Sequence, residues 1–163
     1  MRKVFLDTNV ILDYFGASNQ ADSCRNARSV IDELWKTGDG FLVTSSQIKD
    51  VRYILERRFR RAVQIEKGTV SEADAAAAQA CADAALDNLL ALASVASEGA
   101  SDCATARVLC RQHPDFENNL IAAVALRSQA DCIVTRDAGF IRHCPVACMT
   151  PGDFLNALEN GII

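Results

Sequence analysis

The sequence predicts an α/β fold with a parallel sheet packed between helices. Short apolar runs of three or four residues recur along the chain, each closed by a polar break. Longer segments between them carry apolar residues at helical spacing. Strands that alternate with helices imply parallel pairing, with helices on both faces of the sheet. No internal repeat or linker interrupts the pattern, so residues 1–163 read as one domain.

The first run, Val4-Phe5-Leu6, is a buried strand that stops at Asp7. Thr8 or Asn9 can cap the helix that follows through Val10, Ile11 and Leu12, because a short side-chain oxygen accepts free amides of the first turn. Ala21–Thr37 is helical, with Ala27, Val30, Ile31, Leu34 and Trp35 on one apolar face and glycines 38 and 40 ending it. Phe41–Thr44 is a second strand. Ser45-Ser46 cap a long helix through Ile65 that buries Ile48, Val51, Leu55 and Phe59. Ser71-Glu72-Ala73-Asp74 has the form of a capping box and opens an alanine-rich helix to about Leu92. Leu86, Leu89, Leu90 and Leu92 give that helix something to bury. Gly99-Ala100-Ser101 breaks it, and Ala104–Cys110 is a shorter helix.

Gln112-His113-Pro114 is a turn, since proline pushes the residue before it out of helix. A helix opens at Asp115 with its polar residues in the first turn. Cys132–Thr135 is a third strand, closed by Arg136-Asp137. Val146–Met149 is a fourth, and Pro151–Leu158 a final helix. The expected architecture is three-layered, α/β/α, around a parallel sheet of four or five strands.

Half the residues are hydrophobic, enough for a sizeable core. No run of 18 uncharged apolar residues suggests a membrane span, and the acidic, strand-like start argues against a signal peptide. The net charge of −4 excludes a broadly basic nucleic-acid coat but leaves room for a local patch. Seven cysteines, an odd number without a CxxC pair, read as reduced core thiols of a cytoplasmic protein. His143-Cys144 with Cys148 is the one approach to zinc-ligand spacing, and it falls short of a site.

Right-handed crossovers bring all strand ends to one rim, where open parallel sheets bind ligands. Asp7 and Asp137 stand on that rim, and Asp50 lies one turn into the helix leaving it. A helix that precedes a strand begins near that strand's carboxyl end, so Asp115, Glu117 and Asn118 join them. Each acid alone is plausible as a helix cap, but four separate segments converge. Clustered carboxylates repel, and a hard divalent cation, Mg²⁺ or Mn²⁺, relieves this through oxygen ligands. Such a site suits phosphodiester hydrolysis. Neither histidine falls in the cluster, and no Cys–His pair sits on the rim, so a covalent nucleophile is not expected.

The long helix also carries Arg52, Arg57, Arg58, Arg60 and Arg61. Arg57 and Arg61 share a face with Asp50, Arg57 lying roughly 10 Å along the axis. This strip suits phosphates leading to the acidic site, and equally a solvated or partner-binding face.

LDTNVILD at Leu6–Asp13, SSQIKDVRYIL at Ser45–Leu55, DFENNLIAAVAL at Asp115–Leu126 and VTRDAGF at Val134–Phe140 together resemble the PIN domain, from Val4 to about Leu155. The nearest branch includes bacterial VapC-like toxins of toxin–antitoxin pairs. The resemblance implies a Mg²⁺- or Mn²⁺-dependent ribonuclease with an acidic quartet at Asp7, Asp50, Asn118 and Asp137. It implies metal ligation by Asp7, Asp137 and Asn118, with support from Asn9, Thr135 and Asp115. It also implies an RNA substrate, for which the strip offers Arg57 and Arg61, and a homodimer, and it allows for an antitoxin partner. The chain departs from the family at Asn118, where an aspartate is usual, and Asp50 stands where glutamate is commoner. Glu117 or Asp115 then supplies the missing carboxylate, or the site is weakened. Three readings follow: a single-strand-specific endoribonuclease, a module that binds RNA or protein without cleaving, and, ranked below them, a phosphate-accepting aspartate protein. The last lacks a second aspartate at Asn9 and a rim lysine.

Overall fold

A computed structural model describes residues 2–18 and 20–163. Its elements in chain order are β1 (Val4–Leu6), α1 (Thr8–Tyr14), α2 (Ala21–Thr37), β2 (Phe41–Thr44), α3 (Ser45–Lys67), α4 (Glu72–Leu92) and β3 (Ala93–Ala96). There follow α5 (Ala100–Leu109), α6 (Phe116–Arg127), β4 (Cys132–Val134), α7 (Ala138–His143), β5 (Cys148–Met149) and α8 (Pro151–Glu159). The five strands form one all-parallel sheet in the order β3-β2-β1-β4-β5.

Side chains alternate across the strands and so split the core in two. Val4, Leu6, Val43 and Val134 pack with α1, α2, α3, α4 and α8 through Ile11, Leu34, Leu55, Leu89 and Phe154. Phe5 and Ile133 point the other way, against Ile121, Val124 and Phe140 of α6 and α7. Helices thus cover both faces, as an all-parallel sheet requires.

Caps fix where the helices start. Thr44 begins α3, accepting from the Gln47 amide while Gln47 Oε1 accepts from the Thr44 amide at 2.8 Å. The cap is therefore one residue earlier than Ser45. Ser46 and Ser45 instead donate their hydroxyls to Glu98, beyond β3, at 2.5 and 2.9 Å. The box at Ser71 and Asp74 forms as its spacing predicts. Helix α2 ends at Gly38, whose φ of 71° strongly favours glycine.

Several expectations are corrected. A further strand, β3, lies at the end of the alanine-rich helix. Leu90 and Trp35 are exposed rather than packed, at 46% and 67%. Helix α5 begins at Ala100, four residues early, because Asp102 caps the Gly99 amide. Helix α7 is an addition to the expected elements. Of the seven cysteines only Cys132 is buried, while Cys81 and Cys103 are exposed. No helix among the described residues is long and apolar enough to cross a membrane.

Candidate acidic site on the sheet rim

β1 and β4 lie side by side at the centre of the sheet, and the chain turns to opposite sides from them. This is the switch point where parallel sheets open a crevice. Asp7 follows β1, and Thr135 and Asp137 follow β4.

The Thr135 hydroxyl links the two acids. It donates to Asp7 Oδ2 at 2.5 Å and accepts from the Asp137 amide at 3.0 Å. Asn9 donates to Asp7 Oδ2 at 2.5 Å and to Thr135 Oγ1 at 3.0 Å. Asn9 is thus no helix cap; it braces Asp7, which is itself the N-cap position of α1. Its carbonyl accepts from the Arg136 amide at 3.1 Å. Asp7 is 4% exposed, and burial pushes its carboxyl up to about 6, with the Asp137 charge adding to this and the Thr135 bond opposing it.

Asp137 caps α7. Its Oδ1 accepts from the amides of Gly139 and Phe140 at 2.7 and 2.9 Å, and its Oδ2 accepts from Asn118 Nδ2 at 3.1 Å. The bond from the Phe140 amide, with those from Gly139 and Asn118, holds its carboxyl below the usual range despite some burial. Asp115 caps α6 by accepting from the Asn118 amide at 3.1 Å. Asn118 is buried and Glu117 exposed. Glu117 makes no hydrogen bond among the described residues. Asp50 lies 3.5 Å from the Lys49 ammonium, and no hydrogen bond among the described residues ties it to Asp7 or Asp137. Asp7, Asn9, Asn118, Thr135 and Asp137 therefore form one hydrogen-bonded set, with Asp115 joined to it through the Asn118 amide.

His113 also stands here, contrary to the expectation that neither histidine reaches the acids. A ring nitrogen of His113 and carboxylate oxygens of Asp115 and Asp137 lie within 4.8 Å of one another. His113 Nε2 is buried without a hydrogen-bond partner. Its sequence signal is slight: a histidine two residues before a capping aspartate that itself reaches the rim. Two carboxylates and an imidazole with an orphaned buried nitrogen are a donor set that fits a divalent metal ion.

Below the rim, Asp13 is 1% exposed and paired with Arg136, Nε to Oδ2 at 2.5 Å and Nη2 to Oδ1 at 3.2 Å. On α3, Arg57, Arg58, Arg60 and Arg61 line one surface cavity, and Arg57 lies over the Tyr53 ring at 5.5 Å. Arg60 pairs with Glu56 at 2.7 Å and Arg52 with Asp83 at 2.7 Å. Among the described residues no acid lies within salt-bridge distance of Arg57 or Arg61.

The family described as PIN domain matches residues 3–139. The chain belongs to this family. Solved structures similar to this PIN domain include PAE2754 from Pyrobaculum aerophilum, with a TM-score of 0.63 and 16% identity over 98% of this chain and 90% of that one. FitAcB from Neisseria gonorrhoeae gives 0.59 and 18%, over 91% and 98% of the two chains. VapBC2 from Rickettsia felis, bound to a DNA fragment from their promoter, gives 0.58 and 14%, over 90% and 96%. At these identities the likeness is one of fold. No curated protein sequence matches the chain at a significant level.

Proposed function

We propose that this PIN domain is a metal-dependent endoribonuclease, acting in the cytoplasm as the toxin of a toxin–antitoxin pair. One observation carries the reading: Asp7 and Asp137, from the two central strands, are joined through Thr135 at the switch point with Asn118 beside them. Membership of a family whose members are typically nucleases supports it. The likeness to VapBC2 and FitAcB supports an antitoxin partner.

Asp7, Asp137 and Asn118 would hold the ion, with Asp115, joined to Asn118 at the start of α6, as a further oxygen ligand. A bound Mg²⁺ or Mn²⁺ supplies Lewis acidity toward a phosphodiester. The chain does the rest. Asn9 and Thr135 fix the Asp7 carboxylate, and the α7 amides fix that of Asp137. Arg57 and Arg61, free of acidic partners among the described residues, offer charge to the RNA backbone.

A second reading, a module that binds RNA or protein without cleaving, is favoured by one feature. Asn118 supplies a neutral amide in place of a carboxylate, and that amide is already engaged by Asp137. Cleavage of mixed RNA with added Mn²⁺, with and without chelator, separates the two. Chelator-sensitive cutting that Asp7→Asn abolishes supports the enzyme. RNA binding without cutting supports the module.

A further inference from the structure

We infer that His113 is a direct ligand of the divalent ion, and that with Asp115 and Asp137 it tilts the site toward nitrogen-accepting transition metals over Mg²⁺. This rests on the metal-dependent reading above and adds a ligand that the acidic quartet does not contain.

Geometry comes first. One atom from each of the three residues lies within 4.8 Å of the other two, close enough for one ion to reach all three. Each acid is anchored to a helix start. Asp115 Oδ1 accepts from the Asn118 amide, and Asp137 Oδ1 from those of Gly139 and Phe140. The second oxygen of Asp115 makes no hydrogen bond among the described residues. The loop bearing His113 is fixed by Asn119, whose Nδ2 donates to the His113 carbonyl at 2.7 Å. The imidazole lies stacked near Phe140 and His143, with ring centroids 6.4 and 5.9 Å away.

The space around the ring is kept open. A Cβ at Gly139 would stand 3.2 Å from His113 Cε1 and 3.1 Å from Asp137 Oδ1, tighter than ordinary van der Waals packing. A residue with no side chain is what lets imidazole and carboxylate approach each other. His113 Nε2 is buried without a partner, and a buried ring nitrogen is costly to leave unpaired.

The chemistry follows from the donors. Mg²⁺ takes oxygen ligands, whereas imidazole suits later divalent metals. A neutral nitrogen compensates for the carboxylate absent at Asn118 without restoring its charge. The ligand set thereby shifts from oxygen only to mixed nitrogen and oxygen.

The test uses the full chain with Mn²⁺, whose unpaired electrons report a directly bonded nitrogen by electron spin-echo spectroscopy. The parent protein shows nitrogen coupling that changes when its histidines carry ¹⁵N, and His143→Ala retains it. His113→Ala loses the coupling and binds Mn²⁺ at least about tenfold more weakly, the loss that even an outer-shell partner causes. Its Mg²⁺ affinity stays close to the parent's. Gly139→Ala, which removes no donor, also weakens Mn²⁺ binding by crowding the ring. Should His113→Ala fail to fold, the labelled parent still decides the question. Bound Mn²⁺ without histidine coupling overturns the role of His113 and leaves the metal-dependent reading intact. A parent chain that binds no Mn²⁺ at all overturns both.

Discussion

The side-chain amide of Asn118 donates to the carboxylate of Asp137 at 3.1 Å. An aspartate there would replace a charge-assisted hydrogen bond with two facing carboxylates. Asn118→Asp is expected to cost the metal-free protein roughly 1.5–3 kcal/mol, the usual worth of a hydrogen bond to a charged group. The helix start of α6 offsets about 0.3–1 kcal/mol of that through its dipole. Metal affinity and RNA cleavage should both rise, because a hard cation gains more from a carboxylate than from an amide. Calorimetric titration beside a cleavage assay checks this. Unchanged affinity would mean that Asn118 does not face the ion.

Asp7 gives the metal-free protein a distinctive pH response. Its carboxyl titrates near 6 in the fold, against 3.8 for the ordinary group. The burden of charging it is therefore absent below about pH 4, where both states are protonated, and complete above about pH 6. A gap of that size corresponds to about 3 kcal/mol. Urea unfolding of parent and Asp7→Asn between pH 4 and 7.5 should show the variant gaining on the parent as pH rises. A stability difference that does not change with pH would contradict the burial argument.

Thr135 is fully buried and meets three partners at once. Thr135→Val keeps the shape and leaves the Asp137 amide and one Asp7 bond unmet, at about 1–3 kcal/mol for each buried group so stranded. Thr135→Ser should restore most of the loss. Thermal unfolding of the three proteins is the measurement. If valine is tolerated as well as serine, the hydroxyl is not the link between the strands.

Arg136 straps the end of β4 to α1 through Asp13. Removing one member of a buried pair costs about 3–5 kcal/mol, and less here because about a third of the Arg136 side chain is exposed. Arg136→Met alone should destabilise more than Arg136→Met combined with Asp13→Leu, since the single change strands a buried carboxylate. A double-mutant cycle by chemical denaturation would show it.

Arg57→Ala and Arg61→Ala should weaken RNA binding and flatten its salt dependence, by a slope of about 0.7 for each single-strand phosphate left without its arginine. Binding across a salt series is the readout. Variants that bind RNA like the parent but no longer hold an antitoxin would reassign the strip to a protein interface.

The rim is legible in the sequence because strand ends are marked twice, by the end of an apolar run and by a polar residue where a helix starts. Asp7 and Asp137 carry both marks, and Asn118 follows from the rule that a helix before a parallel strand starts on the same rim. β3 escapes because Ala93–Ala96 continues an alanine-rich helix without a break and, as an edge strand with Ser94 and Val95 exposed, lacks the buried pattern of its neighbours. His113 escapes because a histidine before proline reads first as a turn. Only the packing of α7 against that turn, through Gly139, brings its ring to the acids.

Thr135 and Asp7 are 128 residues apart in the chain, and β1 pairs with β2 early but with β4 only near the far end. During synthesis at about 5–20 residues per second, roughly 6–25 s pass between the emergence of the two partners. For that interval the nascent chain carries Asp7 without the hydroxyl that holds it and without the second acid it faces. The acidic pair is therefore unassembled for that interval. On the proposed reading, cutting begins only once β4 has docked beside β1.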